Sequence, residues 1–459
     1  MKTNPGEIND LPNEPTYQGD RQKHTKENEN YTQSKQLNAR EDCAFDGAMM
    51  ALVPITDVAH VIHGPSGCIN NFCQNLNSLS SGSLLYRVRF TTDMEESDII
   101  FGGAKKLYKA IVELKRRYKP SAVFVYSTCV SALIGDDING VCSDVTEQIG
   151  IPVIPVDSPG FVGGSNQGIR LAGETLLDRV IGTEEPEFTT PYDINLIGEY
   201  NIAGAIWKIL PLFEKLGIRV LAKITGDARY KEICYAHRAK LNVVSSSSPL
   251  LKMAKKMEQR YGIPHIESCF YTIEDVSRCL QNIAAQFNDP KLLERTEKLI
   301  AEETAVINEK LTPYRACLQG KRIVIYTEGV KSWSVISAAR NLGMEAIAIS
   351  PCKTSRSEKA KIKELLGKDS IILESENPKD IIQIINEHKA NLLIAGDRYQ
   401  DIALEAAIPF LNINQEHYFS YASYTGVLEV ALQLYTTLNS PIWKQVRKSA
   451  PWDVEKKGE

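Results

Sequence analysis

The chain has no apolar run approaching the roughly 18 residues that a membrane-spanning helix needs. Its first 40 residues, rich in Asn, Glu, Lys, Gln and Thr, hold no apolar stretch of the signal-peptide kind. Neither membrane insertion nor secretion is expected, and the expected compartment is the cytoplasm. Net charge is only −4, so there is no dominant basic field to attract nucleic acid. Cysteine is sparse: ten in 459 residues are too few for a disulfide scaffold, and in a reducing compartment they are thiols. No G-x-x-x-x-G-K-[ST], H-E-x-x-H or G-x-S-x-G occurs, which leaves phosphate-loop, zinc-protease and serine-hydrolase chemistry without a motif. The glycine-rich PGFVGGSNQG (159–168) lacks the G-x-G-x-x-G spacing of a dinucleotide site. The seven histidines form no ligand pattern.

What is present is an ordinary globular composition, 43% hydrophobic and 24% charged. At this length about three domains of roughly 150 residues are expected. Residues 1–38 read as a disordered polar tail. Beyond them, short β-branched runs alternate with amphipathic helical stretches. Expected strands are AVFVYS (122–127), PVIPV (152–156), INLIGEY (194–200), RVLAKI (219–224), RIVIYT (322–327), EAIAIS (345–350), IILE (371–374) and NLLIAG (391–396). They do not alternate polar and apolar residues, as befits strands buried on both faces of a parallel sheet. Expected helices include 203–216, 330–343, 379–389 and 423–437. The fold class is therefore α/β, as doubly wound Rossmann-like units with parallel sheets. The polar stretch 182–193 and a long helix over 290–311 separate the units. Expected domains are 39–190, 191–318 and 319–459. The strand ends ITGD (224–227), IYTEG (325–329) and IAGD (394–397) resemble one another, and loops at such carboxyl ends form a binding crevice.

Three cysteines lie at turns and not inside apolar runs: Cys43 in EDCAFDGA, Cys68 in HGPSGC and Cys129 in YSTCVSALIGDD. They are 25 and 61 residues apart, too far for a zinc-finger loop but suited to an iron–sulfur cluster held between the mouths of folded units. Gly64 and Gly67 let the second loop turn tightly around a bulky inorganic group, and Pro65 stiffens it. Three thiolates leave one iron without a ligand, so a fourth must come from elsewhere, another chain being one source. Cys73 forms C-x4-C with Cys68 and is an alternative ligand or an incidental loop thiol. Cys142, Cys234, Cys279, Cys317 and Cys352 read as small buried hydrophobes. His237, Arg238 and Lys331 lie near strand ends, where they either balance an anionic ligand or are solvated at the surface.

Several of these segments resemble one family closely: CAFDGAMMALVPITDVAHVIHGPSGC, FTTDMEESDIIFGGAKKLYKAI, TCVSALIGDDI, PVDSPGFVGG, TTPYDINLIGEYNIAG, GVKSWS, NINQE and APWD. It is the NifE family of the nitrogenase component 1 superfamily, the α-type subunits of the scaffold that matures nitrogenase iron–molybdenum cofactor. The match runs from about Ala39 to Asp453. The resemblance implies three Rossmann-like domains and an α2β2 heterotetramer with a NifN-like β subunit. It also implies a 4Fe–4S cluster at the subunit interface, with Cys43, Cys68 and Cys129 at the family ligand positions and the fourth cysteine from the partner. A larger iron–sulfur–carbide precursor is implied as cargo. It comes from NifB, gains molybdenum and homocitrate with help from the nitrogenase iron protein, and passes to nitrogenase component 1. That role is a biosynthetic scaffold and not an independent enzyme.

The chain departs from the family around the precursor site. Where the family holds the precursor with a cysteine, AHRAKLNVVSSSSPLL aligns Ser246, and a hydroxyl is a poor ligand where thiolate is selected. The nearest other thiol is Cys269. A histidine that anchors molybdenum in the catalytic relatives aligns approximately with Asn414. Arg89, Glu328, Asp397 and the pair Tyr418–Phe419 are further departures. His237, Arg238, Lys331 and Asn414 join Ser246 as candidate cofactor-binding residues. An alternative function follows: a divergent, non-catalytic paralogue that keeps the interface cluster and partner surface but has lost precursor ligation. A reductase subunit turning over substrate on its own cluster is disfavoured, since no anchoring Cys–His pair is visible.

Overall fold

The computed structural model describes residues 43–68, 78–245, 248–326, 330–349, 356–366, 371–372, 377–412 and 419–448. Three sheets, each contiguous in sequence, are parallel throughout. The first has the order β2-β1-β3-β4, from β1 (Ala59–His63), β2 (Arg89–Thr91), β3 (Val123–Ser127) and β4 (Val153–Val156). The second has the order β6-β5-β7-β8, from β5 (Asp193–Ile197), β6 (Arg219–Ile224), β7 (Leu241–Ser245) and β8 (His265–Ser268). The third runs β11-β10-β9-β12-β13, from β9 (Arg322–Tyr326), β10 (Glu345–Ile349), β11 (Ile371–Ile372), β12 (Leu392–Ala395) and β13 (Phe410–Asn412). Helices cover the sheets, and one apolar core runs from β5 and β7 into β9 and β12.

All eight expected strands form, some shortened at their ends. Five more, β1, β2, β7, β8 and β13, are not expected from pattern alone. Two carry polar residues whose partners exist only in the folded sheet. On β1, buried His60 stacks on Phe124 with ring centroids 5.9 Å apart, and its Nδ1 lies 2.8 Å from the Tyr126 hydroxyl. On β7, Asn242 Oδ1 accepts from Asn195 Nδ2 of β5 at 2.8 Å. Such pairing offsets part of the penalty for burying a polar group.

The long helix runs Pro290–Leu318, further than the expected 290–311. Asp289 caps it, accepting from Lys291 N at 2.9 Å, and Pro290 starts it. Thr312–Pro313 reads as a stop, yet the helix continues and buries Leu318 against the common core. Among the described residues no helix is long and apolar enough to cross a membrane.

Glycine sets the approach of two helices near the chain's first described residue. A Cβ on Gly47 would collide with the Ser165 carbonyl, and one on Gly168 with the Ala44 carbonyl. The Ala44–Leu52 and Ser165–Arg179 helices therefore meet backbone to backbone. This seats Cys43, immediately before the first helix, against Gly164, immediately before the second, through an isolated antiparallel bridge.

Candidate metal centre

In a parallel sheet every strand delivers its following loop to the same edge. Cys68 follows β1, Cys129 opens the Cys129–Ile134 helix after β3, and Gly160 lies in the turn after β4. Cys43 reaches this edge through its bridge to Gly164. All three thiols are free and half-buried. A Cβ on Gly160 would stand 3.0 Å from Cys129 Sγ and 3.2 Å from Cys43 Sγ, so both sulfurs flank one point. Cys68 completes the group, its thiol raised in pKa by burial first and then by Cys129 and the Asp46 carboxylate.

Asp46 sits in the first turn of the Ala44–Leu52 helix. Its Oδ2 lies 3.4 Å from both the amide N and the Sγ of Cys43. Burial, with the Asp46 charge adding to it, pushes the Cys43 thiol up to about 11. Without a metal the thiol is protonated at neutral pH, and binding iron must expel its proton. Among the described residues no three His, Cys, Asp or Glu side chains gather tightly enough for a single metal ion. Three convergent, half-open thiols spread around a glycine suit a multi-iron cluster, whose usual protein ligands are thiolates. Apolar side chains stand exposed on the same elements: Met50 on the Cys43 helix, Leu133 on the Cys129 helix, and Phe161 and Val162 beside Gly160.

Gly160, Asp46 and the residues beneath the cysteine loops were not singled out from sequence. The signal for Gly160 was the glycine-rich PGFVGG, whose role is close approach to sulfur and not phosphate binding.

The other candidate residues scatter. His237 and Arg238 precede β7 and stand at the amino edge of the second sheet, whereas Ser245 ends β7 at the carboxyl edge. They are engaged there with Glu185: Arg238 Nε and Nη2 donate to its carboxylate at 2.6 and 2.8 Å, and His237 Nε2 lies 3.2 Å away. They are thus separated from the carboxyl end of β7 by the length of that strand. Lys331 lies in the first turn of the Val330–Asn341 helix, after β9. Ser246, Asn414, Cys73, Cys352, Glu328 and Tyr418 lie outside the described residues. Asp397 is exposed after β12, accepting from Asn412 Nδ2, and Phe419 is exposed. Arg89 stands on β2 opposite His60. Cys269 directly follows Ser268, which pairs in register with Ser245 of β7, and so is at the same carboxyl edge as Ser245. Cys142, Cys234 and Cys279 are buried as expected, but Cys317 is exposed. It lies near the end of the long helix.

Three parallel helix-covered sheets with a trio of unpaired thiols at the carboxyl edge of the first define an α/β protein equipped for thiolate–metal chemistry. The chain belongs to the nitrogenase component 1 type oxidoreductase family, whose sequence model matches residues 43–439. It is 60% identical to the nitrogenase iron-molybdenum cofactor biosynthesis protein NifE of Nostoc sp. (strain PCC 7120), over 99% of this chain and 95% of that one. Identity to the protein of the same name from Rippkaea orientalis is 56%, over 99% and 97%. With that from Klebsiella pneumoniae it is 45%, over 89% and 92%. Among solved structures, nitrogenase Cp1 at pH 5 superposes with a TM-score of 0.77 at 30% identity, over 90% of both chains.

Proposed function

We propose that this chain is a scaffold subunit for the biosynthesis of nitrogenase iron–molybdenum cofactor. Identity of 60% to a protein of that name over nearly the whole chain carries the reading. In this reading the three sheets are the cores of three Rossmann-like domains, 39–190, 191–318 and 319–459. Cys43, Cys68 and Cys129 hold a 4Fe–4S cluster, which supplies one-electron redox chemistry when bound. The fourth ligand comes from a NifN-like β subunit, and the exposed Met50, Leu133, Phe161 and Val162 beside the thiols are the apolar surface such a partner would cover.

The cargo is an iron–sulfur precursor supplied by NifB and passed on to nitrogenase component 1, with the nitrogenase iron protein assisting. We assign its docking to the carboxyl edge of the second sheet, where the loops after β5 and β7 leave toward opposite sides of the sheet. Ser246, Lys331 and Asn414 remain candidates for its contacts. Cys269 is the thiol next in register to the serine run. It offers the soft ligand that Ser246 lacks.

The test is iron content and EPR of the complex co-purified with its partner subunit, with and without NifB product. Four irons per αβ unit, rising by about eight with NifB product, is the expected result. A complex that never exceeds the four-iron level fails the scaffold reading and favours the paralogue that has lost precursor ligation.

A further inference from the structure

Beneath the cysteine loops lies a buried polar knot that the cluster assignment does not itself require. His63 ends β1 and is fully buried; Asp136 is 6% exposed in its side chain. His63 Nε2 lies 2.9 Å from Asp136 Oδ2, and Nδ1 lies 3.1 Å from Thr92 Oγ1. The Gly103 amide donates to both Asp136 oxygens at 3.0 Å. Thr92 Oγ1 also accepts from Gly64 N at 3.1 Å, and Thr91 Oγ1 donates to Gly64 O at 3.1 Å. Thr128 Oγ1 donates to His63 O at 2.9 Å.

These bonds join the two ends of the problem. His63 and Gly64 open the loop that carries Cys68. Thr128 directly precedes Cys129, and Asp136 follows the short helix that Cys129 begins. The Cys129 segment is thus braced at both ends against the Cys68 loop. There is no slack in the brace. A Cβ on Gly64 would strike the Thr128 side chain. A Cβ on Gly103 would come within 2.8 Å of Asp136 Oδ2, His63 Cε1 and Met94 Cε.

We propose that Asp136, held by His63, is a positioning residue for the iron–sulfur cluster: it fixes the spacing of Cys68 and Cys129 and places one buried negative charge behind the cluster. The proposal rests on the reading that these cysteines ligate iron. Burial lowers the His63 pKa despite its carboxylate partner, so at neutral pH the imidazole does not cancel the Asp136 charge. A buried negative charge disfavours adding an electron nearby, so its removal raises the reduction potential. Residues behind metal ligands commonly act in this way, by orientation and by field.

The test uses the complex purified with its partner subunit. Asp136→Asn keeps the size and one acceptor but removes the charge; His63→Gln keeps the charge and alters the brace. For Asp136→Asn the expected result is a more positive midpoint potential and a several-fold faster loss of iron to a chelator. For His63→Gln it is faster loss of iron with little change in potential. Asp136→Glu is expected to restore the potential. Wild-type potential and wild-type iron release in both variants overturn the proposal, as does a lowered melting temperature with neither property changed. If Asp136→Asn does not fold, iron release from His63→Gln decides alone. Cys68→Ser is the control for the underlying reading. If it loses iron while the Asp136 and His63 variants behave as wild type, the cluster stands and the brace falls. If it keeps its iron, the cluster assignment itself fails.

Discussion

The carboxyl edges of the first and second sheets are built alike in topology and unlike in chemistry. At the first, three thiols converge around Gly160, and the loops bearing two of them are tied by His63, Thr92, Thr128 and Asp136. At the second, Asp227 and Asn201 gather a network of hydrogen bonds. Asp227, almost fully buried after β6, accepts from Ser81 Oγ at 2.7 Å, Trp207 Nε1 at 2.8 Å and Arg229 Nη1 at 3.0 Å. Asn201 Nδ2 donates to Leu79 O at 2.8 Å, and Asn201 Oδ1 accepts from Ile206 N at 2.9 Å. These bonds clip the strand of chain downstream of Cys68 onto the second sheet's edge. A tight site with soft ligands is suited to a permanent cluster. An edge whose described residues are mostly hard polar groups, with Cys269 as a nearby thiol, suits cargo that must leave.

The comparison breaks first on iron. Cys129→Ala is expected to remove nearly all the iron of the complex purified without NifB product, read by iron assay and visible absorbance. Cys269→Ser is expected to leave that iron intact and to reduce only the NifB-dependent increment. Equal losses in both variants would mean that the two edges do not hold separate sites.

The next largest effect is on folding. Gly168→Val drives a branched side chain into the Ala44 backbone and is expected to destabilise by about 3 kcal/mol or more, read by urea denaturation. Cluster incorporation should fall with it, because the same contact seats Cys43. At the second edge, Asp227→Ala removes the carboxylate that accepts from Ser81 N, Ser81 Oγ, Trp207 Nε1 and Arg229 Nη1 and is expected to cost about 2–3 kcal/mol. The interface cluster's EPR spectrum should not change.

His60 sharpens the contrast through pH. Burial lowers its pKa from 6.5 to about 3. The unfolded chain binds a proton that the native state refuses, so stability falls as pH drops from about 6.5 toward 3. The slope from this residue approaches about 1.4 kcal/mol per pH unit. Denaturation midpoints across that range should lose this slope in His60→Phe. The smallest effect is expected at Cys317. Alone among Cys142, Cys234, Cys279 and Cys317, it should react readily with a thiol reagent in the native protein, with no change in stability.

Much of this was legible beforehand, for stated reasons. Strands such as Val123–Ser127 and Arg219–Ile224 are short β-branched runs between turns, and local pattern suffices to find them. Cys43, Cys68 and Cys129 stood out because each interrupts polar, turn-forming sequence. β1 and β7 are hidden because His60 and Asn242 read as surface residues until their neighbours are known. The long helix was cut short because Pro313 reads as a terminator, while the burial of Leu318 lies outside any local window. For His237 and Arg238, adjacency to a strand in sequence does not say which of its ends they stand at.

The amino-acid sequence by itself determined the α/β class, the family and the three thiols, since these depend on residue identity and short-range pattern. Only the tertiary structure decided that Cys43 and Cys129 share the space over Gly160, that Asp46 and Asp136 lie beside the cysteine segments, and that His237 faces away. Those relations join residues tens of positions apart. They arise from parallel strands sending their loops to one edge and from glycines that let helices touch, and no local stretch of chain encodes them.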